Sequence, residues 1–534
     1  MKLLKYSLLL MLPLTVLVSC KKSEFVAANV SPATLATLDP GAQFLYAARS
    51  FPNDFEYYYD ILRDINAWMQ YTTGNTGNGA GFTRPGGNFN YRYGNYYTNI
   101  GTPLEDIQHI IAKMSDADKA ARVYEGAIAS IYLAQATFYV TDINGSIVYG
   151  QGFQARYGGT LTPAYDVQQK VFDTLDTQIK AAVTTLETAQ SVTQILYGAN
   201  DPFYTDPNKY IANWIKAGNA LRLKIAMRLM KQDPNKLKSI AQDVLADANQ
   251  MNSIDDSWVL NVGPTYADQS GNYNPTGFLA AKPLVDFMNT NEDPRLAIFY
   301  RKNGAGLYVG SPTSPDICAL PANQALYTSP NNPFSSLQHR LFTPNFDEGD
   351  GLGTGSGNGF FPVLTYAEYC FIRADLAARN ITTDIAADWY NKGVTASIKF
   401  YDAKAQAAKI GNYTPVTDAA IAIYLGKTGT VTFDPSKATE QIACQAYLDF
   451  FRQPAEAWAW WKRTGFPNTT SVIAWSPLKA NGADLVLARR PVFTPYSSAD
   501  ANYVNQKAAY DAMLAQPGFG STLDDVTGRI WWDQ

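Results

Sequence analysis

Residues 213–231 read NWIKAGNALRLKIAMRLMK. Trp214, Gly218, Leu221, Ile225 and Leu229 recur every three or four positions, the spacing that lines one face of an α-helix. Lys216, Lys224, Arg228 and Lys231 fall largely away from that stripe. Ala220, Leu223, Met227 and Met230 widen the apolar side, so this helix is expected to pack against more than one neighbour. Asp233-Pro234 stops it, because the residue before a proline is pushed out of the helical region.

The same period runs through 103–114, 116–139, 166–189, 235–248, 364–379, 385–403, 417–425, 439–451 and 503–514. Pro454 opens a further helix to Arg463, at a first position where its missing N–H is not required. Alternation of the strand type is scarce, so the fold class is mainly α. Paired helices of this kind suit a superhelical stack of helix hairpins, although no strict repeat period is present. Between them lie long irregular insertions at 71–99, 263–277, 302–361 and 465–500, rich in Gly, Pro, Asn, Ser and Tyr. Loops of that length are commonly functional or disordered, and their aromatic content argues against simple disorder.

The N-terminus carries its own signal. Lys2 and Lys5 precede an apolar run, Leu8 to Val18, that is too short to span a bilayer. Leu17-Val18-Ser19-Cys20 follows, in the register of a bacterial lipobox. Residues 1–19 are therefore expected to be a lipoprotein signal peptide, with Cys20 the acylated first residue of the mature chain. Lys21 and Lys22 would sit at the lipid headgroups, and residues 20–41 would form a tether to a folded body at 42–534. The other cysteines, Cys318, Cys370 and Cys444, have no metal-site spacing; one disulfide is possible and buried free thiols are favoured. A net charge of −4 and a pI near 5.4 argue against a nucleic-acid partner.

Enzyme motifs are mostly missing. The chain has two histidines, His109 and His339, and neither HExxH nor GxSxG. Gly426-Lys427-Thr428 ends like a phosphate loop, but Ile421 stands where the first glycine belongs. Asp347-Glu348-Gly349-Asp350 is acidic without the spacing of a calcium loop. No catalytic group, metal or cofactor is assigned. A carboxylate pair of the glycosidase kind is not identifiable from sequence.

Residues 51–100 stand out instead, with 13 aromatics in 50 positions, twice the whole-chain frequency of 13%. From Ile65 to Ile100 the charged residues are Arg84 and Arg92 alone. Aromatic rings interleaved with Asn and Gly offer flat apolar area with a polar rim. A sugar has one face of C–H bonds and an edge of hydroxyls, which Asn amides and Arg forks can meet. Trp68, Tyr71, Arg84, Asn90, Tyr91, Tyr93 and Tyr96 are the candidate ligand-binding residues. Tyr57, Tyr58 and Tyr59 are expected to pack the loop onto the body.

Seven blocks are arranged in the order of the SusD/RagB family: TLTPAYDVQQKVFDTL (160–175), NWIKAGNALRLKIAMRL (213–229), DPRLAIFY (293–300), PVLTYAEYCFIRADLAARN (362–380), YNKGVTASIKFY (390–401), AWAWWKRTGFP (457–467) and LARRPVFTPYSSADAN (487–502). They resemble most its SusD-like subgroup. The resemblance implies a TPR-like helix-hairpin scaffold with long irregular loop insertions, on a surface-exposed lipoprotein anchored in the outer membrane through lipid. It implies a nutrient glycan or oligosaccharide as ligand and a SusC-like TonB-dependent transporter barrel as partner. Oligopeptide capture is the alternative; a surface glycan hydrolase is a weaker one. It also implies structural roles for Asn219, Arg222, Arg228, Trp458, Trp461, Arg463, Arg489 and Arg490. Asp375 stands where the family has Glu, and 144–152 lacks its Pro and Glu.

Overall fold

The computed structural model describes residues 38–534 apart from 54, 88, 264–274, 344–345 and 348–356. The expected signal peptide, Cys20 and most of the tether lie outside the described residues, as do Glu348, Gly349 and Asp350. Among the described residues the longer helices are α1 (Pro40–Ser50), α2 (Thr102–Ala112), α3 (Val123–Asn144), α4 (Gln168–Glu187), α5 (Tyr210–Ala226), α6 (Pro234–Leu245), α7 (Lys282–Thr290), α8 (Tyr366–Ala378), α9 (Ala386–Ala407), α10 (Ala438–Asp449), α11 (Pro454–Thr464) and α12 (Tyr503–Leu514). Successive helices pack as hairpins, α2 on α3, α3 on α4, α4 on α5 and α5 on α6. The C-terminal half repeats the theme with α8 on α9 and α10 on α11. Among the described residues no helix is long and apolar enough to cross a membrane.

Most helices expected from periodicity form close to their expected bounds. The stretch read as one helix over 116–139 is divided. A short helix, Asp116–Ala120, precedes α3. The division has a cause: the carbonyls of Ala120 and Ala121 accept hydrogen bonds from Gln194 Nε2 (2.8 Å) and Ile195 N (2.7 Å), which draws them out of the helical ladder. Beyond it α3 is apolar almost all round and runs through the middle of the stack. Gly218 lets α5 approach closely: a Cβ there would meet Val183 of α4 at 2.5 Å and Ile131 of α3 at 3.3 Å.

α5 departs from the simple amphipathic picture. Lys224 is buried with the apolar stripe, and Arg228, in the tight turn after α5, is buried too. Arg228 donates from Nε to Asp142 Oδ1 (2.8 Å) on α3 and from Nη2 to both oxygens of Glu456 (3.0 and 2.9 Å) on α11. Lys224 Nζ lies 2.8 Å from Glu368 on α8 and 3.3 Å from Glu456. Arg463 of α11 pairs with Asp375 of α8, which also takes Arg379 at 2.8 Å. Four helices from both halves of the chain thus meet through buried charges.

Strands are few and short. Trp258–Val262 pairs antiparallel with Gly359–Leu364, and Thr72–Gly74 with Phe278–Ala280. Arg490 holds the C-terminal loop through the carbonyls of Phe519, Thr522 and Leu523, as expected of a fork aimed at backbone. Arg489 reaches the Asp533 carboxylate and the Lys462 carbonyl. Cys318, Cys370 and Cys444 are free and buried, and burial pushes the Cys370 and Cys444 thiols up to about 12.

Candidate functional site

Residues 51–100 are more ordered than a loop. Glu56–Ile65 winds as a π-helix and continues into a helical turn, Asn66–Trp68. A short helix, Tyr91–Asn95, runs into a second π-helical segment, Tyr96–Gly101, that leads to α2. This framework decides which rings face inward.

Three of the seven candidates are internal, which corrects the expectation that they contact ligand. Trp68 is fully buried, stacked on Phe89 (centroids 5.5 Å apart) and edge-on to Trp458 (5.4 Å). Its Nε1 donates to the Phe82 carbonyl at 2.6 Å. Tyr71 is stacked on Tyr447 at 4.4 Å and gives its hydroxyl proton to the Tyr447 carbonyl. Tyr96 is buried with its hydroxyl 2.8 Å from Thr137 Oγ1. A ring whose polar tip has an internal partner can be withdrawn from water entirely. Composition does not report that partner.

The other four lie at or near the surface. Tyr91 is half-buried and belongs to a ring cluster, 5.4 Å from Phe55 and 5.7 Å from Tyr59. Phe55 is 43% exposed, and Tyr58 packs edge-on against Tyr59 at 5.0 Å. The exposed Arg63 sets its guanidinium 5.7 Å from the centroids of both Tyr58 and Tyr59. Tyr93 points to a different row, its hydroxyl 3.5 Å from that of Tyr165, which lies 3.5 Å from that of Tyr496. Arg84 is exposed, two residues before Gly86, whose N–H donates to Asp64 at 3.1 Å. Asn90 is occupied with structure: it has φ +88° and donates its amide to Asn144 Oδ1 at 2.7 Å.

Sequence reasoning therefore missed Phe55, Tyr58, Tyr59 and Arg63, and assigned both tyrosines to packing. Of the Tyr57–Tyr59 run, Tyr57 alone is buried. The four-residue spacing of Phe55, Tyr59 and Arg63 was the available signal, since it places all three on one side of a helical turn.

Asp60 fixes the cluster from below. It is fully buried, and its Oδ2 accepts from the N–H groups of Asn90 (2.9 Å) and Tyr91 (3.0 Å), joining the two ring-bearing segments. Burial, reinforced by Glu56 and opposed by Arg92 and the two N–H groups, pushes its carboxyl up to about 8. The folded protein holds that proton across the range in which an unfolded aspartate, near 3.8, has lost it. Folding stability contributed by Asp60 is thus full below about pH 4 and declines as the pH climbs to about 8. Each pH unit in between is worth about 1.4 kcal/mol at most. Asp60→Asn keeps an oxygen to accept both N–H groups and removes the titration. Its melting temperature is expected to fall less between pH 5 and pH 8 than that of the unaltered protein; parallel curves for the two proteins would refute this.

The cluster presents ring faces and a guanidinium, the means to stack on a ligand and hydrogen-bond its edge. A family model described as "Starch-binding associating with outer membrane", the SusD-like model, matches residues 51–492. The chain belongs to the SusD-like family.

Solved structures share the fold of this SusD-like protein. A chitin-binding protein superposes with a TM-score of 0.70 at 21% identity, covering 93% of this chain and 100% of its own. A chitin-binding SusD homologue from Flavobacterium johnsoniae gives 0.67 at 19%, covering 93% and 98%. A SusD homologue from Bacteroides fragilis gives 0.67 at 20%, covering 93% and 99%. A search of curated proteins returned no match. The scaffold expected from the seven blocks, mainly α and TPR-like, is the one observed.

Proposed function

We propose that this SusD-like protein is a glycan-binding capture subunit without catalysis, tethered to the outer membrane through an acylated Cys20. It would pass its oligosaccharide to a SusC-like TonB-dependent transporter. The observation that carries the binding reading is the surface cluster of Phe55, Tyr59 and Tyr91, with ring centroids 5.4–6.4 Å apart and Arg63 beside it. The family's starch-binding description and the chitin-binding neighbours support a carbohydrate ligand. Tyr93, Tyr165 and Tyr496 offer hydroxyls near the same segment.

Two or three partly exposed rings at about 1 kcal/mol each supply about 2–3 kcal/mol, so directed hydrogen bonds must add at least another ~1–2 kcal/mol to reach millimolar affinity, adequate where a transporter then encloses the ligand. Isothermal titration against starch, chitin and other oligosaccharides, with oligopeptides in parallel, tests the reading. Heat with at least one oligosaccharide is expected, weakened about fivefold by Tyr59→Ala. Heat with peptides only would overturn it, as would release of new reducing ends from a polysaccharide.

A further inference from the structure

A second feature is a pocket with buried arginines in its wall, apart from the ring cluster. This pocket, with about 80 Å3 of room, is bounded by the start of the first π-helix, by α3, and by the turn between α10 and α11. Arg92 and Arg452 both line it, 2% and 4% exposed.

The two guanidiniums are incompletely met. Arg452 donates from Nη2 to the Phe360 carbonyl at 3.2 Å, while its Nε and Nη1 are buried without a hydrogen-bond partner. Among the described residues no carboxylate pairs with it; its neighbours are rings, Phe342 at 4.3 Å and Tyr57 and Phe360 at 5.2 Å. Arg92 donates from Nη1 to the Tyr139 carbonyl at 3.1 Å and stacks on the Tyr139 ring at 3.7 Å. Its Nε is 3.5 Å from Glu56, and neither Nε nor Nη2 makes a hydrogen bond.

The other charges on the wall are already committed. Asp142 and Glu456 are taken by Arg228, and Lys224 lies between Glu456 and Glu368. Glu56 accepts from the Tyr139 hydroxyl as well as pairing with Arg92. Four guanidinium nitrogens therefore lack a hydrogen-bond partner, and among the described residues Glu56 is the one carboxylate paired with either arginine. Water can accept a hydrogen bond from a buried guanidinium but does not offset its charge, and a buried charge is tolerated when it is paired. The cavity is several times the ~10–15 Å3 that one water needs.

We propose that this cavity is a binding site for a small monovalent anion, a halide or a one- or two-carbon carboxylate, held between Arg92 and Arg452. Guanidinium forks suit such an anion, whose charge-assisted bonds are about twice as strong as neutral ones. Bound there, it would tie residues 51–100 to the α10–α11 turn.

The full folded chain, dialysed into gluconate, would be melted in chloride, formate and acetate at constant ionic strength. The midpoint is expected to rise by a few degrees with each small anion and to saturate. Arg452→Gln should abolish that dependence. Crystals grown in bromide should show an anomalous peak beside both guanidiniums, a readout that holds even where Arg452→Gln fails to fold. Equal midpoints in every salt, or water alone in the cavity of bromide crystals, would overturn the assignment.

Discussion

Replacing Arg228 with methionine is expected to lower stability by about 3–5 kcal/mol at pH 7, the cost of breaking a buried ion pair from one side. Arg228 is 1% exposed and is the common partner of Asp142 and Glu456. Methionine fills part of the volume but leaves Asp142 buried without that partner and Glu456 with Lys224 alone. The effect should depend on pH. Burial raises the Glu456 carboxyl, and Arg228 and Lys224 overcome that to bring it down to about 2. A carboxyl held low stabilises the fold above its unfolded value, near 4.5, and that contribution fades as the pH falls toward 2. The gap between the two proteins should therefore be widest near neutrality and narrow below about pH 4. Urea unfolding at pH 7 and pH 4 measures it through the midpoint at constant slope. Equal midpoints at pH 7 would show that the network of α3, α5, α8 and α11 contributes no net stability.

The second large effect separates two aromatic residues that look alike in sequence. Trp68→Ala removes a fully buried indole with an internal acceptor, and a loss of about 3–5 kcal/mol is expected. Its ligand affinity, measured on the fraction that remains folded, should be unchanged. Tyr91→Ala takes away a ring packed against both Phe55 and Tyr59 at the surface. About 1 kcal/mol or less of stability should go, with a fivefold or greater loss of affinity for the oligosaccharide. Thermal melts and titration of both variants check the split. Reversal of the two outcomes would move the binding site off the Tyr91 cluster.

Trp68 and Tyr91 also mark how far the sequence could be read. An aromatic-rich, charge-poor stretch is visible as composition, and composition drew attention to residues 51–100. Sidedness was not visible there. The π-helical winding of Glu56–Ile65 shifts the register at which side chains turn inward, and Tyr71 meets its acceptor at Tyr447, 376 positions away. The loop assigned to 71–99 contains the helix Tyr91–Asn95, whose start is held by Asp60 from 31 positions upstream. A five-residue helix leaves almost no periodic trace, and its start is tied to that distant carboxyl group.

By itself the sequence determined the helices and their pairing, because a repeat of three to four residues is a local property and short connections leave helix hairpins as neighbours. It also carried the family in seven ordered blocks. Tertiary structure alone decided the fate of the charges on and after α5. Lys224 and Arg228 stand off the apolar stripe as solvent-facing residues would, yet both are buried, because Glu368 and Glu456 arrive from positions 144 and 228 further along. Whether a charge or a ring can leave water depends on the partner that meets it, and that partner is brought by the folded chain rather than by its neighbours in sequence.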